Sequence, residues 1–233
     1  MSGVVTTGRP PQGVPPGEVQ YPSGDGLPMA ETPIHIEAIL LLYQALQDFF
    51  RDRADVFIAA DVFWYWEEGN PNARRAPDVM AVIGVPRDVE RRSFFSWREG
   101  GAVPAVIFEM ASQNTWREDI EEKYDLYERL GVREYFVFDP EDAYLRPPLQ
   151  GFRLRQGTYR RMRPDANATL ASDLGFRLRG EGRSLRLIDG PTGQPIPTRE
   201  EKAEQERQRA ERLEAELQQL RAQLGQGGEG TGT

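Results

Sequence analysis

The spacing of hydrophobic residues predicts that the middle of the chain folds as a helix, three strands, a helix and a strand. The first helix is predicted over 34–50, after the entry sequence Glu31-Thr32-Pro33, with an inward stripe of Ile36, Ile39, Leu40, Tyr43, Leu46 and Phe50. Apolar runs predict strands at 56–66, 77–83 and 102–108, then a helix at 115–131 and a strand at 134–138. This order predicts an α/β fold of the α+β type, in which helices pack on a sheet with both parallel and antiparallel strands.

After Pro148 the pattern changes to short strands, predicted at 152–155, 158–162, 176–179 and 185–188. A long polar helix follows at 199–224, with apolar residues at heptad spacing: Ala203, Ala210, Leu213, Leu217, Leu220 and Leu224. We therefore divide the chain into a disordered Pro/Gly-rich leader at 1–30, one domain at 31–198, a coiled coil at 199–224 and a flexible tail at 225–233. The leucine layers favour self-association into a homodimer or higher oligomer.

One lysine interrupts the apolar stripe of the second helix. That helix is predicted to begin at a capping box of Thr115 and Glu118 and to end at Gly131. Lys123 lies three residues after one apolar position and four before the next, so its side chain is predicted to point at the core. A buried ammonium group needs an anionic partner.

Two carboxylates lie at equally unusual positions. Glu109 ends the apolar run 102–108, which is typical of a strand buried on both faces, and Asp78 opens a second apolar run. If these strands are neighbours and the second helix covers them, Asp78, Glu109 and Lys123 converge on one pocket. The pattern indicates a metal site as much as a structural ion pair, and Asp78 after Pro77 is also typical of a turn.

Composition narrows the kinds of site that the chain can hold. The 233 residues include no cysteine and one histidine, His35, which excludes thiol catalysis and multi-histidine metal sites and leaves oxygen ligands for any metal. No stretch reaches membrane-spanning length and the leader lacks the apolar centre of a signal peptide. We therefore predict a cytoplasmic protein with no membrane partner.

Positive charge is concentrated in the late strands. Residues 151–186 carry nine Arg against three carboxylates, although the whole chain has a net charge of −8. Four of these arginines alternate with apolar residues and are candidates for binding nucleic-acid phosphates: Arg153, Arg155, Arg177 and Arg179. The same alternation is typical of a solvated edge hairpin that resists aggregation.

Several ordered motifs resemble the Uma2 family, which is described as restriction endonuclease-like. The motifs are Asp61-Val-Phe-Trp-Tyr-Trp-Glu-Glu-Gly-Asn70, Ala76-Pro-Asp-Val79, Phe108-Glu-Met-Ala-Ser112, Asp119 with Lys123 and Tyr127, and Gly131-Val-Arg-Glu-Tyr-Phe-Val-Phe-Asp-Pro140. The resemblance covers residues 34–190, and the heptad tail is similar to one common in the family. It implies the PD-(D/E)XK nuclease fold, whose core is helix, three strands, helix and strand.

The resemblance implies an endonuclease that uses Mg²⁺ or Mn²⁺ to hydrolyse the phosphodiester bonds of DNA. The implied site has three catalytic residues, Asp78, Glu109 and Lys123, of which the first two bind the metal, and candidate supporting residues Asp119, Ser112 and Glu37. The superfamily lysine is expected two residues after the acid, where this chain has Ala111, and Lys123 on the helix is the substitute. Two alternatives stay open: a nuclease-fold protein that binds nucleic acid or a regulator without efficient cleavage, and a coiled-coil interaction protein.

Overall fold

The computed structural model describes residues 19–23 and 32–227. In chain order, its elements are α1 (Pro33–Phe49), β1 (Val56–Ala60), β2 (Trp64–Tyr65), β3 (Arg74–Arg75), β4 (Val79–Ile83), β5 (Phe94–Phe95), a 3₁₀ helix (Ser96–Glu99), β6 (Val106–Met110), α2 (Trp116–Ile120), α3 (Glu122–Arg129), β7 (Glu134–Phe138), β8 (Leu149–Arg155), β9 (Thr158–Arg161), β10 (Leu170–Ala171), β11 (Phe176–Glu181), β12 (Ser184–Asp189) and α4 (Arg199–Gly227). Most of the predicted leader and tail lies outside the described residues.

A six-stranded mixed sheet forms the centre of the fold, in the order β1-β4-β6-β7-β8-β9. Only one pair of neighbours in this sheet is parallel, β6 with β7, and the α2–α3 segment makes the crossover that a parallel pair requires. The predicted α/β fold class is therefore confirmed, as is the order of helix, three strands, helix and strand within the central sheet.

Each face of the central sheet is covered by one helical layer and one small sheet. On one face, α1 and the sheet β10-β11-β12 enclose a core that includes Leu46, Phe108 and Phe176. On the other face, α2, α3 and the sheet β3-β2-β5 enclose a second core that includes Trp64 and Tyr127. Strands β6 and β7 are buried on both faces, which explains their continuous apolar sequences.

The inward face of α1 differs from the predicted stripe. Ile36 and Leu40 are 38% and 49% exposed, whereas His35, Ala38 and Leu42 are buried. The helix has apolar residues around much of its circumference, so periodicity alone did not determine which side meets the sheet. The prediction that Ile36 and Leu40 face the core was wrong.

The strand predicted over 56–66 is two strands in different sheets. Asp61 adopts a left-handed backbone conformation, with φ of 50°, and its N–H donates to the carbonyls of Pro77 and Asp78 at 3.2 Å. This bend ends β1 and directs the chain into β2, which pairs with β3 and β5. The strand predicted at 102–108 is also different in the structure. It is β6, which begins four residues later and has five residues in place of seven.

The helix predicted over 115–131 is interrupted at Glu121, whose φ and ψ of −116° and −81° separate α2 from α3. The predicted capping box is also wrong, since the Thr115 side chain makes no cap hydrogen bond to the helix. Instead, the Thr115 hydroxyl accepts a hydrogen bond from Ser112 N at 3.1 Å. The loop before the helix therefore uses the side chain that was expected to cap it.

The last helix is anchored to the domain at its first turn. Arg186 on β12 donates two hydrogen bonds of 2.9 Å to the carboxylate of Glu201, and Thr198 N donates to the same carboxylate at 2.8 Å. Farther along α4, Leu213, Leu217 and Leu220 are about half exposed. Among the described residues, no helix combines the length and apolarity needed to cross a membrane.

Candidate active site

The candidate site lies where β4 begins and β6 ends. Val79 pairs with Phe108 in the antiparallel β4–β6 ladder, so the residues just outside that pair, Asp78 and Glu109, are brought together across the two strands. One oxygen of Asp78, Oδ2, accepts a hydrogen bond of 2.6 Å from Met110 N. The Asp78 side chain remains 21% exposed, so solvent reaches this edge of the site.

Glu109 is fully buried, and each of its carboxylate oxygens has a partner from α3. Lys123 Nζ lies 2.9 Å from Oε2, and the Tyr127 hydroxyl donates to Oε1 at 2.7 Å. Lys123 and Tyr127 are four residues apart and therefore project from the same side of α3. The helix thus supplies two donors to one carboxylate.

A second buried carboxylate shares the lysine. Asp119 on α2 is fully buried, and its Oδ1 lies 2.8 Å from Lys123 Nζ. The backbone carbonyl of Asp119 accepts a hydrogen bond of 2.8 Å from the Tyr135 hydroxyl, which ties α2 to β7. Lys123 therefore bridges Glu109 and Asp119, with only 13% of its side chain exposed.

Three carboxyl groups share one ammonium group in this cluster. Burial raises the pKa of Glu109 to about 8, and the charges of Asp78 and Asp119 add to that rise while Lys123 opposes it. Burial also raises the pKa of Asp119. Burial alone would lower the pKa of Lys123, but Glu109, Asp119 and Asp78 together raise it, so the lysine stays charged.

The donor set fits a hard divalent cation that keeps most of its water. Within the described ranges, no group of three or more His, Cys, Asp or Glu residues is arranged to hold a metal ion. Mg²⁺ is commonly bound by only one or two carboxylates together with water and substrate phosphates. The solvent-accessible Asp78 and the adjacent Glu109 provide such a pair, and a cation there would stabilise the ionised form of the buried Glu109 carboxyl group.

Comparison with known proteins identifies the family. The model of the Uma2 family, described as "Putative restriction endonuclease", matches residues 15–187, which is more than half of the chain. The chain belongs to the Uma2 family. The similarity expected from the motifs over 34–190 is thereby confirmed, and it extends further toward the N-terminus.

One solved structure that is similar to this chain comes from a cyanobacterial protein. It is described as the crystal structure of a putative nuclease belonging to DUF820 from Anabaena variabilis ATCC 29413, with 12% sequence identity and a TM-score of 0.44. The match covers 62% of this Uma2 chain and 74% of that one. No curated protein matches the chain.

Two residues near the candidate site of this Uma2 protein were not selected from sequence. His35 is buried on α1, and its Nε2 lies 3.5 Å from Asp78 Oδ2. Tyr127 contacts Glu109, as described above. The spacing of four residues between Lys123 and Tyr127 was a signal for the tyrosine, whereas nothing in the sequence linked His35 to Asp78.

The candidate supporting residues lie at different distances from this centre. Ser112 follows β6 directly, and its hydroxyl lies 3.0 Å from that of Thr115, so it shapes the loop leading to α2. Glu37 is exposed on α1 and lines a surface cavity with the first turns of α4, together with Thr198 and Arg199. The structure therefore brings Asp119 to Lys123 but does not bring Glu37 to the site.

The four arginines proposed from sequence to bind phosphate all have carboxylate partners. Arg153 lies 2.7 Å from Glu134, and Arg155 lies 2.9 Å from Asp173. Arg177 is paired with Asp165 at 2.6 Å, and Arg179 is paired with Glu181. These contacts favour the alternative interpretation of the alternating pattern, a solvated face whose charges are mutually compensated.

Proposed function

We propose that this Uma2 protein is a metal-dependent endonuclease. Its active site, formed by Asp78, Glu109 and Lys123, cleaves phosphodiester bonds of DNA. The observation that carries the proposal is the buried carboxylate of Glu109, whose single cationic partner is shared with Asp119. A buried cluster with more carboxyl groups than cations, and with pKa values shifted by burial and like charges, is typical of functional sites. The family description supports the same reaction class.

In this mechanism, Asp78 and Glu109 are the residues that would hold Mg²⁺ or Mn²⁺. When bound, such a metal would supply Lewis acidity for the hydrolysis of the phosphodiester by water. Lys123 keeps a full positive charge beside Glu109, where it offsets the negative charge that develops on the phosphate. This helix lysine takes the place of the expected lysine at Ala111.

Two further residues prepare the site without touching substrate. Asp119 holds Lys123 Nζ at 2.8 Å and so limits the conformations of a long side chain. The Tyr127 hydroxyl holds one oxygen of Glu109 and leaves its remaining lone pairs available. Both contacts reduce the reorganisation needed when metal and substrate bind.

The direct test is nicking of supercoiled plasmid at low salt with Mg²⁺ or Mn²⁺. Wild type is compared with Asp78→Asn, Glu109→Gln and Lys123→Met, each purified identically and checked for folding by circular dichroism. We expect metal-dependent nicking by the wild type alone. Nicking that persists in all three variants contradicts the assignment of the site, and a folded wild type that does not nick contradicts the endonuclease function.

The exposed leucines of α4 support a second part of the proposal, assembly through residues 199–224. Leu213, Leu217 and Leu220 are 51%, 53% and 48% exposed, and a parallel or antiparallel partner helix would cover them. A homodimer would carry two sites and could cut both strands of a duplex. Light scattering of the full chain should give at least a dimer, and Leu213→Glu with Leu217→Glu should give a monomer; a monomeric wild type contradicts this assembly.

A further inference from the structure

A groove of about 680 Å³ lies at the end of the central sheet, away from the Asp78–Glu109 pair. It is bordered by the start of β8, the end of β9 and the neighbouring strands β10 and β11. Its floor is apolar, formed in part by Leu149, Met162 and Leu170, and its charged lining residues are Arg161, Arg163 and Arg179. Among the residues that the structure describes, no carboxylate lines this groove.

Two of these arginines differ from those with carboxylate partners. Arg179 is held by Glu181, but within the described part of the chain neither Arg161 nor Arg163 forms an ion pair, and both are exposed. The groove therefore presents two uncompensated guanidinium groups beside an apolar floor, in a chain whose net charge is −8. This combination fits a ligand with both phosphate groups and flat apolar surfaces.

The groove floor lies on the α1 face of the central sheet, where Leu149, Met162 and Leu170 join that core, whereas Glu109 contacts α3 on the other face. The groove and the candidate site meet at the end of the sheet where β6 ends and β8 begins. Glu109 pairs with Val137, and Val137 pairs with Gln150, which lines the groove. Two strand spacings separate Glu109 from Gln150, or roughly 10 Å.

We propose that this groove binds a single-stranded segment of nucleic acid, with phosphates on Arg161 and Arg163 and at least one base on the apolar floor. The identity of the ligand rests on the proposed nuclease function, and a strand bound at both places would pass around the end of the sheet where the groove and the candidate site meet. A duplex presents phosphates and sugars on its outside and would leave the floor uncovered. An unstacked strand covers both the arginines and the floor.

The test is fluorescence anisotropy of a labelled 12-nucleotide oligothymidylate with the full chain, in EDTA so that binding is separated from cleavage. Arg161→Gln with Arg163→Gln is compared with Arg129→Gln and Arg209→Gln, which remove the same charge from exposed positions outside the groove. We expect the groove variant to bind about 10-fold more weakly at low salt and its salt slope to fall by about 1.4, or 0.7 for each lost phosphate contact. The control variant should bind within about 2-fold of wild type.

Three results would overturn the proposal. The first is equal weakening by the groove and control variants, which would mean that only net charge matters. The second is a duplex of the same length binding as tightly as the single strand, and the third is polyglutamate or free thymidine monophosphate competing as well as the oligonucleotide. Loss of plasmid nicking with retained groove-dependent binding would instead reject the cleavage function alone.

Discussion

Two buried glutamates on neighbouring parallel strands show how a candidate catalytic carboxylate differs from a structural one. Glu134 at the start of β7 is 1% exposed and belongs to a cluster with balanced charge, in which Arg153 contacts both Glu134 and Asp173 and Arg155 also contacts Asp173. Arg153 contacts its Oε1 at 2.7 Å, Asp173 N donates to the same oxygen at 2.9 Å, and the Ser172 hydroxyl donates to the other oxygen. These contacts join the central sheet to the β10-β11-β12 sheet.

Glu109, near the end of β6, is equally buried, but its cluster within the described residues has a single lysine for three carboxyl groups. Lys123 contacts Glu109 and Asp119, and Asp78 adds the third carboxyl group at the same edge. The register places the two glutamates at opposite ends of the β6–β7 pair, because Glu134 pairs with Val106. Burial alone therefore does not distinguish function from structure, whereas the balance of charge around the buried group does.

The largest expected difference is in nicking by Glu109→Gln and Glu134→Gln. Removing the Glu109 charge should reduce metal-dependent nicking by at least about 100-fold, since a preorganised charge in the reaction centre is lost. Glu134→Gln should keep wild-type nicking per folded molecule but lower the free energy of unfolding by about 2–3 kcal/mol. Plasmid nicking and urea titration measure the two effects, and equal loss of nicking in two fully folded variants would remove the distinction.

Metal binding to Asp78 and Glu109 should stabilise the folded wild type. Glu134 is not a proposed ligand, so replacing it should leave this stabilisation unchanged. At a Mn²⁺ concentration of 100 times the Kd, the free energy of unfolding should rise by about 2.7 kcal/mol. Asp78→Asn should abolish this gain because it removes one of two carboxylate ligands, and Glu134→Gln should retain it. Thermal unfolding with and without Mn²⁺ measures the gain; an undiminished gain in Asp78→Asn places the metal elsewhere.

The metal-free protein should show a pH dependence that comes from Glu109. Its folded-state pKa of about 8 lies above the usual 4.5, so the folded state binds this proton more tightly than the unfolded state. The resulting stabilisation is complete below pH 4.5 and is lost as the pH rises through 8. The free energy of unfolding of the wild type relative to Glu109→Gln should therefore fall by about 1 kcal/mol or more between pH 5 and 8. Parallel curves for the two proteins would contradict the raised pKa.

The smallest expected effect is that of a single hydroxyl on α3. Tyr127→Phe removes the donor to Glu109 Oε1 and should lower nicking by about 10-fold. Tyr159→Phe is a matched control, because its hydroxyl donates to Val132 O at 3.0 Å away from the site. Both variants should lose about 1 kcal/mol of stability, but only the first should lose activity; equal activities would assign Tyr127 a structural role alone.

Several features of the candidate site were predictable from local pattern. The long apolar runs of β6 and β7 predicted strands buried on both faces. Lys123 was predicted to point inward because helical spacing determines the side of a helix on which a residue lies. The interruption at Glu121 did not change that outcome, since Lys123 and Tyr127 are both on α3.

Other features depended on contacts between residues distant in sequence. The capping box failed because the Thr115 hydroxyl bonds to the preceding loop. The inward stripe of α1 was wrong because several sides of the helix are apolar, and packing on the sheet buries His35 beside Asp78. The arginine pattern did not reveal which guanidinium groups have partners, since those partners lie on other strands and turns.

The sequence by itself determined the order of helices and strands, the buried position of β6 and the inward direction of Lys123, because these follow from the short-range periods of the backbone. Tertiary structure alone decided that Asp78 lies beside Glu109, that Asp119 shares Lys123, and which arginines remain uncompensated. Strand pairing and helix packing bring together groups separated by tens of residues, and the charge balance of the site exists only once those groups are in contact.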